Sequence, residues 1–299
     1  MKIKNYVKPT SLEEAYQWNQ KRSARLMGGM LWLRLGRGTI QTAIDLSGLG
    51  LEGIRETEES FYIGAMTALR SLEQHPGLEA YTEGSLRKAV SSIVGVQFRN
   101  LATVGGSIWG RFGFSDVLTV FLALDTWVEL YKGGFVPLSE FVNRKKDNDI
   151  LLGLRVKKRP QHTAYQSFRN TRTDFPVLTC AVSLQDEGRG IASVGARPGR
   201  AMTLELPEEW CRKLAELREA AGKAEEGAFV EGAEAQEKLL EFSQRDHWKK
   251  EAERLAEELA ARIPTGSNMR AGAEYRTHLA KVLLGRCLEE LMQKGEVRA

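Results

Sequence analysis

Residues Gln97–Asp116, which read QFRNLATVGGSIWGRFGFSD, carry the strongest structural signal in the chain. Ahead of them, an apolar residue at i, i+3, i+4 and i+7 predicts an amphipathic helix, with Leu86, Ala89, Val90 and Ile93 on one face. Behind them, Ser115 and Asp116 stand where a cap and a first-turn acid would begin a second helix. Two adjacent glycines lie between these helices, in the run Thr103, Val104, Gly105, Gly106 and Ser107. Glycines let backbone N–H groups approach an anion without a Cβ in the way, so this run predicts a diphosphate cradle.

A second glycine pair lies far upstream, Gly28-Gly29 in RLMGGMLWLRLGRG, again between apolar segments. Either pair alone is better explained as an ordinary tight turn. Two separate glycine loops, however, could hold a diphosphate from both sides, which favours the functional interpretation.

The G-x-G-x-x-G at Gly48, Gly50 and Gly53 matches the dinucleotide-binding fingerprint literally. That fingerprint works only where it opens a helix whose N-terminus faces the pyrophosphate. The following IRETEESFYIG is short, acidic and strand-like. We therefore reject a Rossmann site at this position.

The composition is that of a globular protein, with 299 residues, 42% hydrophobic and 27% charged. A formal net charge of +4 from 43 basic and 39 acidic residues argues against a dedicated nucleic-acid binder, so no nucleic-acid partner is expected. The three cysteines have neither CxxC nor iron–sulfur ligand spacing and indicate a reducing compartment. No stretch could span a bilayer or act as a secretion signal, and a cytoplasmic protein is expected.

Strand and helix signals alternate up to about residue 160 and predict an α+β domain. Beyond that point the pattern changes to three strands followed by helices, at Ala164–Phe168, Val177–Leu184 and Ile191–Ala196. The C-terminal part is therefore predicted to be a small three-stranded sheet covered by helices, with Gly222–Glu237 as an acidic, alanine-rich connector. No residue pattern indicates a metal site or a catalytic side chain.

Taken together, these motifs resemble a known family. RNLATVGGSIWGRFGFSD is similar to the second FAD-binding loop of the flavin (medium) subunits of molybdenum hydroxylases, the xanthine dehydrogenase and aerobic carbon monoxide dehydrogenase group. MGGMLWLRLGRG followed by AIDLSGLGLEGI resembles their first loop and the next strand, and the similarity continues to NMRAGAEYRTHLAKVLLGRCLEEL. The resemblance implies a two-lobed vanillyl-alcohol oxidase-type (PCMH-type) FAD-binding domain over residues 1–160, with lobes of about 1–56 and 57–160. A C-terminal flavoprotein domain would occupy residues 161–299.

The resemblance also implies which residues bind FAD. The first loop corresponds to Met27, Gly28, Gly29, Met30, Leu31, Trp32 and Leu33, and the second to Thr103, Val104, Gly105, Gly106 and Ser107. The family usually has small or polar residues where this chain has Met30 and Leu31, so side-chain hydrogen bonds to phosphate would be missing there.

Four further residues match single family positions. Asp116 would contact the sugar part of FAD, and Ile93 would pack on the cofactor. The Leu151 backbone would lie against the flavin, and Arg169 falls where some members place a lysine near the isoalloxazine. The alternatives are a helix cap for Asp116, a core position for Ile93 and an exposed strand end for Arg169.

The resemblance implies an FAD-dependent electron-transfer subunit. Its partners would be a small subunit with [2Fe-2S] clusters and a large molybdopterin subunit, and NAD⁺, oxygen or a quinone would be the acceptor. Two alternatives stay open at this point: a stand-alone flavin oxidase, and an assembly subunit that has lost FAD.

Overall fold

The computed structural model describes residues 1–185, 188–215 and 249–293. Its strands are β1 Lys2–Val7, β2 Ala24–Met27, β3 Thr39–Asp45, β4 Ile54–Glu56, β5 Ser60–Gly64, β6 Thr126–Leu130, β7 Gly134–Pro137, β8 Leu151–Lys157, β9 Gln161–Phe168, β10 Leu178–Gln185, β11 Arg189–Gly195 and β12 Met202–Glu205. Its helices are α1 Leu12–Asn19, α2 Leu69–Gln74, α3 Pro76–Tyr81, α4 Ser85–Ser91, α5 Val96–Leu101, α6 Val104–Trp109, α7 Asp116–Ala123, α8 Leu138–Phe141, α9 208–215, α10 249–261 and α11 Ala273–Gln293. A 3₁₀ helix covers Leu33–Leu35. The predicted connector Gly222–Glu237 lies outside the described residues.

The strands form three sheets, which confirms the α+β class. The first is parallel, in the order β1-β3-β2. The second is antiparallel, in the order β4-β5-β8-β6-β7, and the third is antiparallel, in the order β12-β11-β10-β9. Helices α4 and α7 pack between the second and third sheets, and α11 covers the outer face of the third.

Strand β10 is buried on both faces along its whole length. Its odd-numbered residues face α7, where the Thr179 and Thr119 hydroxyls lie 2.9 Å apart and the Ser183 hydroxyl donates to the Ala123 carbonyl. Its even-numbered residues, such as Cys180 and Val182, pack in the apolar core under α11. The period-two alternation of a strand thus gives one face to each neighbouring layer.

The C-terminal sheet has four strands where the sequence predicts three. The additional strand, β12, pairs with β11 and has only four residues. A strand this short does not show a readable alternation. Near the predicted border between the two lobes, at about residue 56, β4 pairs with β5 in the second sheet.

The predicted Ser115 cap is confirmed, because the Ser115 hydroxyl accepts from the Leu118 amide at 3.1 Å at the start of α7. The Ser11 hydroxyl similarly accepts from the Glu14 amide at the start of α1. No helix follows Gly53, which is succeeded by β4, in agreement with the rejected Rossmann fingerprint. Within the described residues, no helix is long and apolar enough to cross a membrane.

Arg99 and Glu73 form a buried ion pair that anchors the segment leading into α6. The Arg99 guanidinium donates to Glu73 at 2.7 and 3.2 Å and to the Ile93 carbonyl at 3.0 Å. Burial on its own would raise the pKa of Glu73, but hydrogen bonds from Arg99 and Arg70 outweigh it and hold that pKa below its ordinary value.

We expect Glu73→Gln to destabilise the fold by about 3–5 kcal/mol at neutral pH, because Arg99 loses its buried counter-ion. A carboxyl whose folded pKa is depressed contributes stability above its unfolded pKa and loses it as the pH falls through the folded pKa. The difference between wild type and variant should therefore shrink below about pH 4. Urea unfolding of wild type and variant, at neutral pH and below about pH 4, measures this difference in the free energy of unfolding. Glu79→Gln, from the exposed pair with Arg87, is the control and should cost at most about 1 kcal/mol.

Candidate functional site

A cavity of about 750 Å³ lies where the three sheets meet. That volume is within the range of cofactor sites, and boundaries between domains are a common place for them. Most of the residues predicted from the sequence line it: Gly28, Gly29, Met30, Leu31, Trp32, Leu33, Ile93, Thr103, Gly106, Ser107, Asp116 and Arg169. Among the predicted residues, the lining leaves out Met27, Val104, Gly105 and Leu151, which are buried.

The first glycine loop offers unpaired donors to this cavity. Within the described residues, the backbone amides of Gly28, Gly29, Met30, Leu31 and Trp32 donate to no protein atom. Met30 adopts a left-handed conformation with φ of 60°, a reversal that turns successive N–H groups toward one side. Buried or half-buried amides without an acceptor are unfavourable, so this run of donors suits an anion.

Glycine is required in this loop because the second loop lies directly against it. A Cβ on Gly29 would stand 1.7 Å from the Leu101 carbonyl oxygen, and one on Gly28 would stand 2.6 Å from the Thr103 hydroxyl. Neither distance is possible between non-bonded atoms. The first glycine pair therefore allows close backbone contact between the two loops as well as access to its amides.

The second glycine run has a different role from the one its sequence suggests. It forms the first turn of α6 and not an open loop, with Thr103 as the cap. All four amides from Val104 to Ser107 already have acceptors: Thr67 O at 2.9 Å, Ala65 O at 2.7 Å, Thr103 Oγ1 at 3.1 Å and Thr103 O at 3.1 Å. Of the predicted cradle, Thr103 and Ser107 line the cavity, and each hydroxyl already has one partner: Thr103 Oγ1 accepts from the Gly106 amide, and Ser107 Oγ donates to the Thr103 carbonyl at 3.2 Å. The amides without a protein acceptor belong to the first loop.

Asp116 and Arg169 form a buried ion pair at the cavity wall. Arg169 Nη2 lies 2.6 Å from Asp116 Oδ1, which also accepts from the Tyr165 hydroxyl. The guanidinium further donates to Ser167 Oγ at 2.6 Å and to the Asp174 carbonyl at 3.1 Å. Burial raises the pKa of the Asp116 carboxyl, and Arg169 and Tyr165 oppose that rise. Arg169 is thus neither an exposed strand end nor a free cation, since its charge is balanced by Asp116.

Four aromatic rings that no sequence motif brings together meet at one side of the cavity. Trp32 contacts Phe112, Phe114 and Phe175 with ring centroids 5.6–5.7 Å apart, and Phe114 lies 4.5 Å from Phe175. Arg270 holds the segment that carries Phe175, through an ion pair with Asp174 at 3.1 Å and a position 4.8 Å over the Phe175 ring. These rings provide flat apolar surface for a planar ligand.

Residues 1–156 match the family model described as "FAD binding domain in molybdopterin dehydrogenase". That match covers more than half of the chain. The chain belongs to this family. It is a flavoprotein component of an oxidoreductase, and its cofactor is FAD.

Similar proteins agree with this assignment. Protein YgfM of Escherichia coli (strain K12) is 25% identical over 198 residues, 64% of this chain and 74% of that protein. The nicotinate dehydrogenase FAD-subunit of Eubacterium barkeri is 30% identical over 138 residues, 44% of this chain and 46% of that subunit. The structure of carbon monoxide dehydrogenase from Hydrogenophaga pseudoflava superposes with a TM-score of 0.74 at 22% identity, covering 97% of both chains, and shows the same fold.

The residues around the cavity fit both the diphosphate and the ring systems of FAD. Unpaired amides in the first loop suit the diphosphate, and the aromatic rings suit a ring system. The replacement of polar family residues by Met30 and Leu31 leaves these amides in place. Leu31 is buried in the apolar core against the second sheet, which explains an apolar residue there.

We expect Trp32→Ala to weaken FAD binding about 5- to 150-fold, since an aromatic–base stack contributes about 1–3 kcal/mol. Phe135→Ala is the control, because Phe135 has a similar exposure of 41% against 42% for Trp32 and does not line the cavity. Each FAD-free variant is titrated with FAD, and the quenching of flavin fluorescence gives its affinity for the cofactor. An unchanged affinity in Trp32→Ala would place the ring system elsewhere.

Proposed function

We propose that this flavoprotein is the electron-transfer subunit of a molybdopterin-dependent hydroxylase or dehydrogenase complex. Electrons would arrive from [2Fe-2S] clusters on a small partner subunit, after substrate oxidation at a molybdopterin centre on a large one. A soluble acceptor such as NAD⁺ would then take them. Support comes from the family and from relatives whose names describe subunits of nicotinate and carbon monoxide dehydrogenases.

The observation that carries this proposal is the run of unpaired amides in the first loop, closed on one side by Thr103. A chain that had lost FAD would have no reason to keep five consecutive amides without a protein acceptor along a cavity wall, because such a run of donors suits an anion. The same observation argues against a purely structural assembly subunit.

FAD supplies the redox chemistry when bound, and the protein contributes binding, orientation and exclusion of water. The first-loop amides and the Thr103 and Ser107 hydroxyls would hold the diphosphate. Trp32, Phe114 and Phe175 would cover the ring system. The neutral Asp116–Arg169 pair would present a dipole and not a net positive charge, so we expect a smaller effect on the flavin potential than a free lysine would give.

The test is to purify the chain through an affinity tag from its own cells. We expect a flavin absorption spectrum together with co-purification of one subunit carrying [2Fe-2S] clusters and one carrying molybdopterin. A colourless chain that takes up no added FAD would overturn the proposal in favour of an assembly subunit. A yellow chain that purifies alone and oxidises an organic substrate with oxygen would overturn it in favour of a stand-alone oxidase.

A further inference from the structure

Six basic residues from three loops meet beside the cavity. Arg111 lies between α6 and α7, Arg144, Lys145 and Lys146 lie between α8 and β8, and Arg197 and Arg200 lie between β11 and β12. We call these six residues the basic cluster. Two acidic residues accompany them, Glu140 and Asp147. The excess of positive charge at this one surface equals the formal excess of +4 carried by the whole chain.

Four members of the basic cluster, Arg111, Lys146, Arg197 and Arg200, donate hydrogen bonds to carbonyl oxygens. Lys146 Nζ donates to the Gly110 carbonyl at 3.2 Å, and Arg200 donates to the Asn143 carbonyl at 3.4 Å. Arg197 donates to the Arg200 and Pro264 carbonyls, both at 2.7 Å. Within the described part of the chain, Arg144 alone among the six forms an ion pair, with Glu140 at 3.1 Å. Carbonyl oxygens carry no full charge, so the positive potential remains.

Both the backbone conformation of Arg111 and the burial of its Nε are energetically unfavourable. Its backbone is left-handed with φ of 49°, and its guanidinium lies 4.0 Å over the Phe141 ring and donates to the Arg144 carbonyl. Its Nε is buried and has no partner. Burial lowers the pKa of Arg111, Asp147 opposes that shift, and the nearby charges of Arg200 and Arg144 add to it. A strained, half-buried cation beside like charges is typical of a functional position.

The cluster borders the opening of the FAD site. Gly110, Phe112, Lys146 and Asp147 line the cavity itself, whereas Arg144, Lys145 and Arg200 are exposed. The two loops that carry Arg111 and Arg197 are joined by the Ala196 amide, which donates to the Gly113 carbonyl, and by the close approach of Gly113 to Gly199. The charges are therefore on a rigid rim beside the redox centre.

We propose that the basic cluster is the docking surface for a small acidic electron-carrier protein that serves as the electron acceptor. This inference rests on the proposed electron-transfer function and names its partner. The exposed charges come from two separate loops, which suits an extended acidic surface better than a single phosphate. Positive potential at the edge of a redox site steers an acidic partner into a short-lived encounter. Two one-electron carriers would be reduced for each two-electron reoxidation of the bound cofactor, with the released protons passing to solvent.

The test measures binding of an acidic plant-type [2Fe-2S] ferredoxin to the FAD-loaded complex, by calorimetry at low salt and at about tenfold higher salt. We expect the Kd to rise at least tenfold with salt. The double variant Lys145→Glu/Arg200→Glu should weaken binding at least tenfold at low salt and reduce the salt dependence. Neither side chain lines the cavity, so flavin absorbance should stay unchanged.

Lys4→Glu/Arg286→Glu is the matched control, with the same change of charge at exposed positions on β1 and α11. Its ferredoxin affinity should equal that of the wild type, and an equal loss in both double variants would overturn the proposal.

Two other results would also overturn it: failure of the Lys145→Glu/Arg200→Glu chain to assemble with its partner subunits, or binding of a duplex DNA as tight as that of ferredoxin. A yellow complex that reduces an uncharged dye but does not bind ferredoxin would overturn the docking surface alone. A chain without FAD would overturn the proposed function.

Discussion

A Gly29→Ala variant should lose FAD affinity by more than about a hundredfold, or about 2.7 kcal/mol. The added Cβ would stand 1.7 Å from the Leu101 carbonyl oxygen and 2.5 Å from its carbon, both backbone atoms that cannot rotate away. The first loop must then move from the second, and its amides leave the positions in which they converge. Gly29 is not in the left-handed region, so the effect is steric and does not arise from backbone strain.

Neighbouring glycines provide graded controls for this prediction. A Cβ on Gly28 would meet the Thr103 hydroxyl, the end of a side chain that can rotate, so Gly28→Ala should cost less than Gly29→Ala. Gly38→Ala should have no effect, because nothing lies within 4 Å of its Cβ position. Flavin absorbance per chain measures the series, and circular dichroism checks the fold. Wild-type flavin content in Gly29→Ala would show that contact between the loops is not needed for binding.

Asp116→Asn is expected to destabilise the folded chain by about 3–5 kcal/mol, because Arg169 then stays buried without a counter-ion. Side-chain exposures of 5% for Asp116 and 7% for Arg169 leave little access for water. The melting temperature should fall by roughly 10 °C at about 2–4 °C per kcal/mol. Scanning calorimetry of the FAD-free chain separates this loss from any loss of cofactor.

The double variant Asp116→Asn/Arg169→Met tests the pair itself. Because the second substitution removes the uncompensated charge, the double variant should be more stable than Asp116→Asn alone. Glu205→Gln is the control, since its pair with Arg189 is exposed and should contribute at most about 1 kcal/mol. Additive effects of the two buried substitutions would mean that Asp116 and Arg169 do not interact.

The parts of the site that depend on local chain chemistry could be predicted from the sequence. The two glycine pairs and the Ser115 cap follow from residue type and spacing, and the structure places the second pair and the cap at the start of α6 and α7. The resemblance to a family added the order of these motifs along the chain, which placed FAD in the prediction.

The remaining features depend on contacts between distant segments. Asp116 and Arg169 are 53 residues apart, and only the packing of α7 against the third sheet brings them together. The amides of Val104 and Gly105 are paired because Thr67 and Ala65 approach from another segment, which no local pattern in TVGGS indicates. The aromatic group likewise combines Trp32, Phe112, Phe114 and Phe175 from three separate parts of the chain.

Strand β10 limits how this protein can change in evolution. Its hydroxyl-bearing face meets α7 while its aliphatic face fills the core under α11. Deleting one residue from its middle would exchange the two faces downstream, setting Ser183 among aliphatic side chains and Leu184 against α7. Such a deletion would disrupt the packing against α7 and the packing of the core under α11 at the same time. Length variation should therefore be tolerated in surface connections and excluded from this strand, which a library of single-residue deletions scored by flavin content would reveal.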